Sequence, residues 1–270
     1  VKKEFLYSKN IGFNNIIRVF EDQIFVSKIL CLAINFKIIQ KSIYARRIFE
    51  PNTLGKKTGY MVVISCVEII YQITKFINQR RRFLNKRKIN FLCSRLKFVT
   101  EQLFLNIIIC KPFEIKNVSK YISKHLSMFI KLSKFKLENL DFLSKKNTNI
   151  NDYLLKYKFK KIKVLKNIVE KFKSDKIILF CTGSYTKVIL KSFNGLGTNI
   201  SIIIDNNIHY SEKKLENTII KNLSYLKENW KKFSSFKILI CNKNIFEFNK
   251  IKLQLNKIGI KNKNLFQVKI

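Results

Sequence analysis

The sequence predicts an α/β protein, with a C-terminal parallel sheet and flanking helices preceded by a mainly helical N-terminal region of unknown fold. From Asn151 onward, short apolar runs alternate with segments of helical periodicity, which is typical of parallel strands joined by right-handed helical crossovers. Three of the seven glycines lie between Lys176 and Asn207, around the first two of these runs. Residues 1–143 show helical spacing instead. We therefore predict two regions, residues 1–143 and residues 151–270.

The N-terminal region is predicted to be helical because its apolar residues recur every three or four positions. In VEIIYQITKFI, one face carries Val67, Ile70, Ile73 or Thr74, and Ile77. In SKYISKHLSMFIKLSKF, another face carries Ile122, Leu126, Ile130 and Leu132, and His125 is predicted to lie at its rim. The segment RIFEPNTLGKKTGYMVV predicts a loop, because it holds Pro51, Gly55 and Gly59. The polar run SKKNTNIND, residues 144–152, predicts a linker.

The C-terminal region opens with a predicted helix. Its apolar side is expected to hold Leu155, Phe159, Ile162, Leu165, Val169 and Phe172. Five apolar runs are then predicted as strands, in the order KIILFC, NISIIIDNN, NTIIK, FKILICN and NLFQV. The helices between them are SYTKVILKSF, LSYLKENWKKF and IFEFNKIKLQLNKI, the last with Phe246, Ile251, Leu255 and Ile258 facing inward. Helix ends are expected at Gly195 and Gly197 and at Gly259. The alternation favours strands that all run parallel.

The turn CTGSYT after the first strand is the candidate binding site. Gly183 lets the chain turn and lets a ligand approach the next helix, whose free N–H groups and positive dipole end attract anions. Ser184 and Thr186 can cap that helix or donate hydrogen bonds. Asp205 ends the second strand about 20 residues later, where an acid binds ribose in dinucleotide-binding folds. Of the G-x-G-x-x-G fingerprint only Gly183 is present, so a structural turn that binds no cofactor stays open as the alternative.

The order and spacing of the motifs over residues 176–270 resemble a small Rossmann-like domain found beside sugar-modifying and surface-polysaccharide enzymes. That family has a G-A-G-x-H-T turn, a strand ending in I-D-x-N and a final L-x-x-x-G-I segment. This chain has CTGSYT, IIIDNN and LNKIGI at those places, with Tyr185 at the histidine position. The resemblance implies an accessory domain of carbohydrate or cell-envelope polysaccharide biosynthesis that binds a nucleotide or nucleotide-sugar, or serves as a scaffold. The residues implied at the ligand are Gly183, Ser184, Tyr185, Thr186, Asp205, Asn206 and Asn242.

The formal net charge of +37 raises a second function, that of a basic RNA- or ribosome-associated protein. The basic residues are mostly Lys and are spread along the whole chain, which favours AT-rich codon usage and solvated lysines as their explanation. The one dense cluster, QRRRFLNKRK, contains Arg80, Arg81, Arg82 and Arg87. A solvated helix end is the favoured interpretation of this cluster, since cations favour helix C-termini, and contact with nucleic-acid or lipid phosphates is the alternative.

The remaining composition bears on chemistry and location. The six cysteines show no C-x-x-C spacing and the histidines are only His125 and His209, so no metal site is predicted. No Ser–His–Asp or paired-carboxylate set can be assembled, and whether the chain is an enzyme stays open. Free cysteines in apolar runs suggest a reducing compartment, and we predict the cytoplasm. Polar residues interrupt the longest apolar stretches, so no transmembrane segment is predicted, while peripheral membrane contact stays open. The chain begins without Met, and whether it is a fragment also stays open.

Overall fold

The computed structural model describes residues 1–14, 17, 19–35, 59–125, 149–194 and 200–269. The chain divides into two compact units, Val1–Lys158 and Phe159–Ile270. The described part of the first unit is helical, and the second contains a six-stranded, mostly parallel sheet with helices. The predicted α/β class, with helices in the N-terminal part and a sheet in the C-terminal part, is confirmed at this level.

The first unit is built around one long central helix. Its helices are α1 (Lys3–Ser8), α2 (Asp22–Leu32), α3 (Tyr60–Arg80), α4 (Lys86–Ile107), α5 (Pro112–Lys124) and the beginning of α6 (Ile150–Lys171). Helix α3 packs against α4 and α5. The predicted inner face of α3 is confirmed, since Val67, Ile70, Ile73, Thr74 and Ile77 are all buried. Gly59 precedes α3 with φ of +73°, and Pro51, Gly55, Leu126, Ile130 and Leu132 lie outside the described residues.

Helix α6 corrects two predictions. It begins at Ile150, so the end of the predicted linker is already helical. Its buried face holds Leu154, Leu165, Val169 and Phe172, whereas Phe159, predicted on the inner side, is 57% exposed. The physical reason is Lys158, which occupies a buried position on the true inner face and donates a hydrogen bond to the Ile108 carbonyl. Because hydrophobic periodicity counts lysine as a surface residue, a buried lysine makes the inner face of a helix difficult to identify from the sequence.

The second unit is organised around a central strand. Its strands are β1 (Ile177–Phe180), β2 (Ile200–Asp205), β3 (Lys214–Leu215), β4 (Thr218–Asn222), β5 (Lys237–Ile240) and β6 (Leu265–Gln267), in the order β3-β4-β2-β1-β5-β6. All four residues of β1 are buried between parallel neighbours β2 and β5. The expectation that every strand runs parallel is wrong at one edge, where β3 pairs antiparallel with β4. A two-residue turn with positive φ at Glu216 and Asn217 makes this short hairpin.

Helices cover the sheet. They are α7 (Ser184–Asn194), α8 (Leu223–Glu228), α9 (Trp230–Phe233) and α10 (Ile245–Lys257). On one face, Ile178 and Phe180 pack in a core with Leu226, Ile251 and Leu255. Alternation along the strands turns the next residues to the opposite face, where the Phe172 ring contacts Phe266 with centroids 4.8 Å apart.

Helix α10 corrects one further prediction. Phe246 was expected to face inward and is 74% exposed, because the buried spacing runs through Phe248, Ile251, Leu255 and Ile258. Phe246 is five residues from Ile251, which places it about 140° around the helix. Gly259, with φ of +92°, follows the end of α10 as predicted. Gly195 and Gly197 lie outside the described residues.

Candidate functional site

The candidate site lies at the carboxyl edge of the sheet. From β1 the chain moves through β2 and β4 on one side, and then crosses to β5 and β6 on the other side. In open α/β sheets, connections that diverge in this way leave a crevice at the carboxyl ends of the strands where ligands bind. Three segments reach that edge, which are Cys181–Gly183 after β1, Asp205–Asn206 at the end of β2, and Cys241–Asn242 after β5.

The turn after β1 owes its shape to Cys181. Its φ is +85°, in the left-handed region that favours glycine. Its N–H donates to the Ile204 carbonyl at 2.8 Å, and its own carbonyl accepts from the Thr186 hydroxyl at 2.9 Å. Gly183 is not left-handed, and a Cβ placed there would meet no atom within 4 Å. Gly183 therefore leaves open space in front of the helix, while the left-handed residue of this turn is Cys181.

Of the four residues predicted to contact a ligand at the start of α7, two are exposed and the hydroxyl groups of the other two are hydrogen-bonded within the protein. Gly183 and Ser184 are exposed at the N-terminus of the helix, where N–H groups have no acceptor within the helix. The Tyr185 hydroxyl donates to the Val268 carbonyl at 3.1 Å. Thr186 is fully buried, and its hydroxyl is bonded to the turn it follows. An anion at this terminus would therefore meet backbone N–H groups and the Ser184 hydroxyl.

The polar side chains after β2 and β5 already have protein partners. Asp205 accepts from the Thr182 hydroxyl at 2.7 Å through one oxygen and from the Asn207 N–H at 2.8 Å through the other. The Asn206 amide donates to Gln254 on α10 at 3.0 Å. Asn242 accepts the N–H of Asn244 at 2.9 Å. A carboxylate offers about four lone-pair positions, so Asp205 keeps acceptor capacity for a ribose hydroxyl beside these two bonds.

The two thiols at this edge are protonated at neutral pH. Burial, together with the nearby carboxylates of Asp205 and Glu247, raises the pKa of Cys181 to about 12. Burial also raises the pKa of Cys241 well above its ordinary value. The thiolate is the nucleophilic form of cysteine, so neither side chain is suited to covalent chemistry. This edge offers an anion cradle and hydrogen-bond acceptors, which suit it to binding.

The two histidines lie in different units. His125 lies between the rings of Tyr71 and Tyr121 in the first unit, at centroid distances of 4.4 and 5.0 Å. His209 is exposed in the 3-10 turn Ile208–Tyr210. Within the part of the chain that the structure describes, no three His, Cys, Asp or Glu side chains form a group that could hold a metal ion.

A buried carboxylate in the first unit was not identified from the sequence. Glu68, the only acid in α3, is 2% exposed. It accepts from Asn14 at 3.1 Å, from Gln72 at 2.8 Å and from the Tyr121 hydroxyl. Burial, together with the bond to Glu68, raises the pKa of Tyr121. The position of Glu68 as the only acid in a long and largely apolar helix is the sequence signal that could have identified this network.

The arginine cluster forms an exposed corner between two helices. Arg80 ends α3, Arg81 and Arg82 lie in the 3-10 turn that follows, and Arg87 lies in the first turn of α4. All four are exposed, and the Phe83 ring among them is 76% exposed. The corner therefore presents guanidinium groups and an aromatic ring together.

The segment Tyr60–Phe83 is also the one helix in the described ranges with the length and apolar composition of a membrane span. In the structure, 67% of its most apolar window is buried within the protein. The central helix of a protein core has the same composition, so this measure alone does not assign the helix to a membrane. No protein-family model matches the chain, and no curated protein matches it in sequence.

Proposed function

We propose that the C-terminal unit is a Rossmann-like nucleotide-binding domain, of the accessory kind that accompanies enzymes of carbohydrate and cell-envelope polysaccharide biosynthesis. The observation that carries the proposal is that two features lie next to each other at the carboxyl edge of the sheet. One is the exposed N-terminus of α7 at Gly183 and Ser184, and the other is Asp205 at the end of the neighbouring strand. The strand order, with its divergence beside β1, supports the same function.

The ligand's diphosphate would lie over Gly183 and Ser184, where the helix dipole and free N–H groups favour negative charge. Its ribose would lie towards Asp205, with Asn206 and Asn242 at the sides. The internal bonds of Tyr185 and Thr186 remove two hydroxyls from the contact set. Because Cys181 replaces the first glycine of the fingerprint, we expect weaker binding than a complete fingerprint gives.

The test is a calorimetric titration of the full chain with UDP, UDP-glucose, ADP and NAD. We expect at least one of them to bind and to raise the unfolding temperature. Gly183→Val should weaken that binding roughly tenfold, because its side chain enters the open space in front of the helix, where a diphosphate would lose its charge-assisted bonds. The matched control is Gly12→Val in the first unit, where a Cβ also meets no atom within 4 Å.

Two results would count against nucleotide binding. One is the absence of both heat and stabilisation with all four ligands, which would leave the scaffold role for this domain. The other is an equal loss of affinity in Gly183→Val and Gly12→Val, because the control position is in the other unit.

A second candidate function, RNA binding, is favoured by the exposed corner at Arg81, Arg82 and Arg87 around Phe83. Cationic groups neutralise phosphates, and an exposed ring stacks on bases in a sequence-tolerant way. This candidate predicts RNA affinity that falls steeply with salt and depends on these particular arginines.

A further inference from the structure

The first unit contains a cationic cavity whose lining includes no residue assigned above to nucleotide binding. It has a volume of about 300 Å³ and is lined by Lys9, Lys28, Lys75 and Arg80, with amide side chains and two apolar residues between them. No acidic residue lines it. The space is at the lower end of the range of small-molecule sites.

The positions of these cations follow from the helices. Lys9 follows α1 and Lys28 lies on α2, while Lys75 and Arg80 lie on α3 beside Gln72 and Gln79. Residues three and four apart share one side of a helix, so this stripe of α3 forms one wall.

The cationic side chains of the cavity meet no acidic side chain in the part of the chain that the structure describes. The acid of α3, Glu68, is occupied by Asn14, Gln72 and Tyr121. Burial lowers the pKa of Lys28, and the neighbouring charge of Lys75 lowers it further. A bound anion would offset the repulsion between the two ammonium groups.

An apolar groove adjoins this cavity. It has a volume of about 750 Å³ and shares Lys9, Leu32 and Arg80 with the cationic cavity. Its apolar walls are formed by Phe5, Ile29, Leu32, Ala33, Ile34 and Phe83. Ile34 is 94% exposed, so the groove presents apolar surface to the outside. An apolar surface of this kind, next to charged residues, is typical of a binding site.

We propose that the two cavities together bind one phosphate-bearing lipid, with its phosphate among Lys9, Lys28, Lys75 and Arg80 and its hydrocarbon chain in the groove. The cationic cavity alone would suit free phosphate, and the adjoining apolar walls favour the lipid. A nucleic acid would require a track of phosphates, whereas here one cationic cavity meets a hydrocarbon wall. The proposal is independent of nucleotide binding by the other unit.

The first test measures the affinity of the full chain for monomeric dihexanoyl phosphatidic acid, with dihexanoyl phosphatidylcholine and inorganic phosphate as comparisons. We expect phosphatidic acid to bind most tightly. The double variant Lys28→Gln/Lys75→Gln should weaken it by roughly tenfold or more, because two charge-assisted contacts are lost. Lys116→Gln/Lys120→Gln, on the exposed side of α5, removes the same charge elsewhere and should change the affinity less than about twofold.

The second test addresses the hydrocarbon chain. Ala33→Trp fills the groove and should weaken phosphatidic acid roughly tenfold while leaving inorganic phosphate unchanged. Ile34→Gln removes apolar surface at an exposed position that the fold does not need and should act in the same direction. Circular dichroism of each variant checks that it is folded.

Three results would overturn the proposal. If inorganic phosphate bound as tightly as phosphatidic acid, and if neither Ala33→Trp nor Ile34→Gln changed the affinity for phosphatidic acid, the cavity would be a site for free phosphate. If Lys28→Gln/Lys75→Gln and Lys116→Gln/Lys120→Gln lost the same affinity for phosphatidic acid, the binding would be due to diffuse surface charge. If a short RNA displaced the lipid, and if Lys28→Gln/Lys75→Gln lost its affinity for RNA, the cavity would be part of a nucleic-acid surface.

Discussion

Cys181 holds the backbone of the candidate site in a conformation that side chains disfavour. Its φ of +85° is left-handed, and for residues with a Cβ this region costs about 1–2 kcal/mol. The conformation persists because both backbone groups of Cys181 are bonded, to Ile204 and to Thr186. The residue therefore shapes the anion cradle at some cost to the stability of the unit.

We expect Cys181→Gly to be more stable than Cys181→Ala by about 1 kcal/mol in the free energy of unfolding, because both lose the sulfur and only alanine keeps the strain. Cys66, in the middle of α3, is the control. There the order should reverse, since glycine in a helix interior costs about 0.5–1 kcal/mol relative to alanine. The measurement is denaturant unfolding of the four variants. A Cys181→Ala variant as stable as Cys181→Gly would show that the turn is unstrained.

At the scale of elements, Glu68 joins α3 to α5 through Tyr121 and to the residues before α2 through Asn14. Its third donor, Gln72, comes from the next turn of α3 itself. A buried donor that loses its acceptor costs about 1–3 kcal/mol. The carboxylate therefore stabilises the packing of three separate segments.

We expect Glu68→Ala to lower the free energy of unfolding by about 3 kcal/mol or more, since three donors lose their acceptor. Tyr121→Phe, which removes one of the three, should cost about 1–2 kcal/mol. Glu4→Ala, at an exposed position in α1, serves as the control and should stay within about 0.5 kcal/mol. Urea unfolding followed by circular dichroism measures all three. A Glu68→Ala variant that unfolds like the control would contradict this account.

Much of the sheet could be predicted because its strands are continuous apolar runs, as at Ile177–Phe180, which are buried on both faces. Strand β3 was missed because two residues carry no periodicity, and its pairing depends on the turn at Glu216 and Asn217. Leu165, Val169 and Phe172 were predicted correctly on the inner face of α6, but Phe159 was not, because the buried Lys158 resembles a surface lysine in sequence. The alternation of strands and helices in the sequence was enough to place the site residues at the ends of the strands. The hydrogen-bond partners of Asp205 depend on the tertiary structure, which local sequence spacing does not encode.

At the scale of the whole molecule, the net charge of +37 makes some attraction to any polyanion unavoidable. RNA affinity by itself therefore says little about a specific site. The informative quantity is the slope of log affinity against log salt, which counts the phosphates that are neutralised, at about 0.7 for each phosphate of a single strand.

If the corner between α3 and α4 is an RNA site, Arg81→Gln/Arg82→Gln/Arg87→Gln should reduce that slope by about 2. The control, Lys116→Gln/Lys120→Gln/Lys124→Gln on α5, removes three exposed charges elsewhere in the same unit and should change the slope by less than half as much. Fluorescence anisotropy with a labelled oligoribonucleotide across a salt series gives both slopes. Identical slopes in the two triple variants would assign the binding to diffuse charge.

The crowding of four like charges around one small cavity has a practical consequence for preparing the protein. If the cavity binds a phosphate group as proposed, repulsion among its cations makes the vacant form the less stable one, and the composition of the buffer becomes part of the thermodynamic state that is measured. A sample that carries residual cell lipid would then be partly liganded from the start. Melting temperatures of different preparations would then be comparable only when the anions and lipids present are the same.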